Sequence, residues 1–117
     1  MDDLKHALKQ FTGSEQFYRH PLFRRFVYTE GVQFLAERAA AYWLLDNIFG
    51  HQTLKSLGPQ PFQVWIIRVK DDKSAEITVE DGNDNQLHSF HLDFTTFPLK
   101  EFSLWLVEGT LLLPSEY

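Results

Sequence analysis

The residue that most invites chemistry is an aspartate in apolar company. Asp46 lies in the string AYWLLDNIFG. At about 100° per residue, on a continuous helix, it shares an arc with Leu35, Ala39, Tyr42 and Trp43. A carboxylate buried on such an arc needs a cation or hydrogen bonds to stay ionised. One role for it is a general base, or an anchor in a pocket. The other is an ion pair that fixes helix to sheet, with Arg24 or Arg25 reaching it from the preceding segment. The ion pair is the expectation.

Histidine supplies the next candidates: His6, His20, His51, His88 and His91. The string His88-Ser-Phe-His91 has the look of a metal pair. Residues three apart on a strand point to opposite faces, so the two rings are not expected to share an ion. His91 and Asp93 do share a face, and the carboxylate could orient the imidazole as in a catalytic triad. No serine in a nucleophile elbow accompanies them. The run Asp81-Gly-Asn-Asp-Asn85 resembles a calcium loop only superficially. Counted from Asp81, position 6 is Gln86 and position 12 is Leu92, where an EF-hand needs glycine and a carboxylate. A hairpin turn is expected there instead. No glycine-rich phosphate loop is present, and the chain has no cysteine. No metal, cofactor or enzymatic activity is therefore expected.

Arg19, His20, Arg24 and Arg25 form a basic cluster interleaved with Phe17, Tyr18, Phe23 and Phe26. That pattern suits single-stranded nucleic acid, whose bases stack on rings. The charge balance argues against it. Residues 1–70 carry 9 basic and 6 acidic side chains, and residues 71–117 carry 2 basic and 10 acidic ones, for a net of −5 overall. Direct nucleic-acid binding is disfavoured for so acidic a chain, and pairing of these four basic groups with the chain's own carboxylates is expected. The acidic half would attract a protein partner with a basic surface or a nucleic-acid-binding cleft.

The elements that must position these residues follow from periodicity. Leu4, Ala7, Leu8 and Phe11 predict a first helix over residues 3–11, capped by Asp2 or Asp3 and stopped by Gly13. Pro21 forbids a helix through the aromatic-basic stretch, and residues 26–28 predict a short edge strand. Thr29 and Gly50 bracket one long helix over residues 30–49. A Gly/Pro joint at 57–61 separates it from strands at 62–69, 75–80 and 86–94, joined by short turns as a meander. Residues 107–110 predict a two-residue hairpin turn. The expected fold is one α+β domain over residues 1–117. It has two helices, one of them long, on one face of a four- to five-stranded antiparallel sheet. Its core is expected to be unusually aromatic, since the chain holds 11 Phe, 4 Tyr and 3 Trp. The segment MDDLKHALKQ lacks an apolar signal core, and no apolar run is long enough for a bilayer, so a cytoplasmic, reducing setting without membrane contact is expected.

The strings AYWLLDNI and LLLPSEY, with FQVWIIRV and ITVEDGNDN between them, carry a resemblance. Over residues 28–117 the chain resembles a family of small bacterial proteins of unknown function, associated with phages, plasmids and other mobile elements. The resemblance implies an accessory role for a mobile element and assigns no residue. The expected function is a non-enzymatic interaction protein, an inhibitor or modulator of a host defence protein. The alternative is a small-ligand-binding domain or weak enzyme using Asp46, His91 and Asp93. Neither reading sets an oligomeric state.

Overall fold

The computed structural model describes residues 2–12 and 16–117. The side chains of Asp2 and Asp3 and the expected stop at Gly13 lie outside what is described. Helix α1 is Asp2–Leu8; strands β1 (Phe17–Arg19) and β2 (Val27–Thr29) follow, then helices α2 (Glu30–Arg38) and α3 (Tyr42–Gly50). The second half holds β3 (Phe62–Val69), β4 (Ala75–Glu80), β5 (Gln86–Leu92), β6 (Glu101–Val107) and β7 (Thr110–Leu112).

The α+β layout stands, but the sheet is larger than expected and is mixed. All seven strands form one sheet in the order β1-β2-β7-β6-β3-β4-β5. The expected meander, β3 to β5, is one end of it, and the residue 107–110 turn joins β6 to β7 with Glu108 and Gly109 both at positive φ. The rest comes from pairing across the chain. Strand β2 runs parallel to β7, with Val27 opposite Thr110 and Tyr28 opposite Leu111. Thus the strand expected at an edge is interior, and β1 takes the edge. Nothing local announces such a pair, because its partners are some eighty residues apart.

The long helix is also two. Helix α2 ends in a Schellman motif: the Ala39 and Ala41 amides donate to the carbonyls of Leu35 and Ala36, and Ala40 takes φ +50°. Three consecutive alanines favour helix, so propensity pointed the wrong way. Packing overrides it, since Ala36 and Ala41 are both fully buried and the break turns α3 onto the sheet. Tyr42 spans the break by donating to Glu37 at 2.7 Å. Burial, then that bond, pushes its phenol up to about 12. A left-handed alanine costs about 1 kcal/mol relative to glycine. Ala40 is exposed, so Ala40→Gly is expected to stabilise the fold by about 0.5–1 kcal/mol in urea unfolding. Destabilisation would show that the break is not held by this turn.

The helices cover one face of the sheet. Val32, Leu35, Leu44, Leu45, Ile48 and Phe49 meet Trp65, Ile67, Ile77, Leu104 and Leu111 in a single buried cluster. That cluster is mostly aliphatic, against expectation. Among the described residues, Phe26, Tyr28, Phe49, Trp65 and Phe97 are the buried rings, and most others pack around its margin. Trp65 and Phe90 meet the C-terminal end of α3. There His51 stacks on Phe90 with centroids 4.6 Å apart, while Tyr42 stays exposed.

Candidate functional site

Asp46 is exposed, not buried. The break at Ala40 resets the helical phase, so α3 turns Leu44, Leu45, Ile48 and Phe49 inward and leaves Asp46 outside. Its partner is His20 rather than Arg24 or Arg25: Nε2 of His20 lies 2.6 Å from its carboxylate. The imidazole is the buried member of the pair. Its Nδ1 accepts the backbone amides of Leu22 and Phe23 at 3.0 Å each, which places the ring proton on Nε2, donated to Asp46. Both nitrogens are engaged in closing the loop around Pro21 and fastening it to α3. The ring also packs against Phe23 and Phe49. The arrangement is built to hold, and neither nitrogen is presented to a substrate.

His91 and Asp93 lie on the other face of the sheet. His91 Nδ1 meets Glu76, its cross-strand neighbour, at 2.7 Å, and Nε2 lies 3.4 Å from Asp93. Asp46, His91 and Asp93 are thus not brought together. A cleft of about 230 Å³ past the end of β5 is lined by Trp43, Leu92, Phe94, Thr95 and Thr96, and by none of the three. Arg24 and Arg25 are exposed. Arg19 bonds the backbone carbonyl of Arg24, and Arg25 lies over the Phe26 ring. Among the described residues, none of these three arginines forms an ion pair with a carboxylate, so within the basic cluster only His20 makes the expected pairing with one of the chain's own carboxylates.

The face turned away from the helices holds a further group of side chains that no sequence motif marks. Strand β3 points Trp65 and Ile67 inward, and Phe62, Val64 and Ile66 outward. Register then stacks rows across the sheet. One row is charged: His91, Glu76, Arg68 and Glu101, with Arg68 and Glu101 paired at 2.7 Å. The next is Ser89, Thr78, Ile66 and Ser103. Beyond it Val64 lies between Glu80 and Trp105. At the far end Phe62, Trp105 and Tyr117 form a ring triad with centroids 5.2–5.9 Å apart, and Tyr117 is 72% exposed.

Carboxylates rim this triad. Glu80 flanks Val64, and Glu108 bonds through its amide to Pro61 beside Phe62. The loop bearing Asp81 and Asp84 touches Phe62 through Gly82. Among the described residues, Glu80, Asp84 and Glu108 make no ion pair. Asp81 is held below its ordinary value by the Asn85 side chain first and the Asn83 amide next, so it stays charged. The visible signal was strand β3, apolar on both faces, which implies either a second cover or an exposed apolar surface.

A model described as a family of unknown function (DUF6876) matches residues 2–117. The chain belongs to this family. No curated protein and no solved structure matches it. In this DUF6876 chain one of the resembling strings closes on the start of α2. The carboxylate of Glu116, from LLLPSEY, accepts Thr29 Oγ1 at 2.6 Å, the Leu113 amide at 2.9 Å and the Gly31 amide at 3.3 Å, where YTEG opens α2. A Cβ on Gly31 would lie 2.7 Å from Glu116 and from Leu113, so only glycine leaves room for that carboxylate as it stands. Glu116 in this string is therefore occupied with holding the fold, while Tyr117 beside it completes the triad, exposed over the half-buried Phe62 and Trp105.

Proposed function

We propose that this chain is a non-enzymatic interaction protein whose partner docks on the Phe62/Trp105/Tyr117 end of the outer face. The partner presents a basic surface or a nucleic-acid-binding cleft. The observation that carries this reading is a cluster of large rings inside a rim of carboxylates without ion-pair partners. Trp and Tyr make strong anchors when a partner desolvates them, and unpaired rim charge steers a partner of opposite sign. The resemblance to proteins of mobile elements gives the setting: a cytoplasmic inhibitor or modulator of a host defence protein. The alternative, a ligand-binding or catalytic role for Asp46, His91 and Asp93, lacks support because the three groups stand in two separate places.

The test is affinity capture from the native bacterium, followed by titration of the captured protein. Trp105→Ala is expected to weaken binding by about 30-fold or more. Replacing Glu80 and Asp84 together by lysine is expected to weaken it and flatten its salt dependence. Arg24→Ala, outside the triad and its rim, is expected to leave it unchanged.

A further inference from the structure

The two edges of the sheet are built differently. Strand β1 has three residues, one of them Arg19, and shortness and charge are the usual ways to keep an edge from pairing. Strand β5 has seven residues, Gln86–Leu92, with no lysine, arginine, aspartate, glutamate, glycine or proline. It lies at the end of the strand order, so one side of its backbone is unpaired among the described residues. Its pairing with β4 is regular from Ala75 opposite Leu92 to Val79 opposite His88, and the register shifts only after Val79. The strand also sits in the half that carries 10 acidic side chains, yet none falls between Asp84 and Asp93. A strand with free amides and carbonyls and no charge to deter pairing is a template for another strand.

We propose that β5 pairs antiparallel with β5 of a second copy, joining two sheets into one. The strand is complementary to itself. With the two-fold axis at Ser89, His88 of each copy faces Phe90 of the other on the helix side, giving two aromatic pairs. On the outer side Ser89 faces Ser89, and Leu87 faces His91. No ionised carboxylate, lysine or arginine meets its like, a condition an isologous contact must satisfy in so acidic a chain. His51, stacked on Phe90, extends the aromatic shelf of each copy up to the join. The proposal goes beyond the partner reading, since the ring triad belongs to β3, β6 and Tyr117 and not to β5.

Sedimentation equilibrium over a wide concentration range tests it. The wild-type protein is expected to reach twice its chain mass of 13.8 kDa. Ser89 is exposed, so Ser89→Lys and Ser89→Glu should both fold, which circular dichroism verifies. Each is expected to raise the dimer dissociation constant about fivefold or more, because like charges then meet at the axis. An equimolar mixture of the two is expected to restore association at least to the wild-type level. A wild-type protein that stays at single mass throughout overturns the proposal. So does a dimer indifferent to both charges, or a mixture no tighter than its components.

Discussion

Replacing Gln63 by alanine is expected to destabilise the protein by about 3–4 kcal/mol, one of the two largest effects that the structure predicts for a single side chain. Gln63 is 1% exposed, yet all its polar atoms are used. Its Oε1 accepts from Trp65 Nε1 and from Gln52, both at 2.9 Å, and its Nε2 donates to Gln52 and to the Leu57 carbonyl, both at 2.8 Å. This amide ties the Gly/Pro joint and the end of α3 to the centre of the sheet. Removing it strands a buried indole N–H and leaves a cavity as well, while the Leu57 carbonyl keeps the Gln60 amide. Urea unfolding should register the whole loss. Gln63→Leu restores volume but not the bonds, so it should still cost about 2 kcal/mol. Adding Trp65→Phe to that variant should recover part of the loss, since the stranded donor is gone. A cost below about 1 kcal/mol for Gln63→Ala would mean that water takes over these bonds.

Glu116→Ala is expected to cost about 2–3 kcal/mol, through the opposite kind of site. The glutamate is only half-buried, but one carboxylate serves three donors at the start of α2, where the helix dipole also favours negative charge. The Thr29 hydroxyl then loses the acceptor that aims it, while it still accepts the Val32 amide at 3.2 Å. The same segment is fastened to the end of the α1 region by Ser115, whose hydroxyl donates to the Phe11 carbonyl at 2.6 Å. Glu116→Gln keeps an acceptor and loses the charge, so it should fall between wild type and alanine. Equal stabilities for all three in thermal unfolding would contradict the assignment.

These two residues show where sequence and structure part. Strands β3, β4 and β5 were legible because alternation and turn residues are local signals, and the 107–110 hairpin carried its own Glu-Gly turn. The turn at Asp81 was legible for the same reason, and its carboxylate closes it by accepting the Asn83 and Asn85 amides. What escaped was set at a distance. The parallel match of β2 with β7, and the reach of Glu116 to α2, join residues more than eighty positions apart. The break at Ala40 has no glycine to mark it. Because that break was missed, the helical angle carried from α2 into α3 put Asp46 inside, when it is the histidine bonded to it that is buried. The ring triad escaped differently. Phe62 opens an expected strand and Trp105 precedes an expected turn, and only the folded register sets both beside Tyr117.

The claim on which the functional reading rests is that this triad, with its carboxylate rim, is the surface a partner occupies. Titration of the partner captured from the native host against wild type and Trp105→Ala tests it most directly. Stoichiometric binding is expected that weakens with salt and falls by about 30-fold or more in the variant, with the variant's fold intact by circular dichroism. Unchanged affinity in a folded Trp105→Ala protein would contradict it.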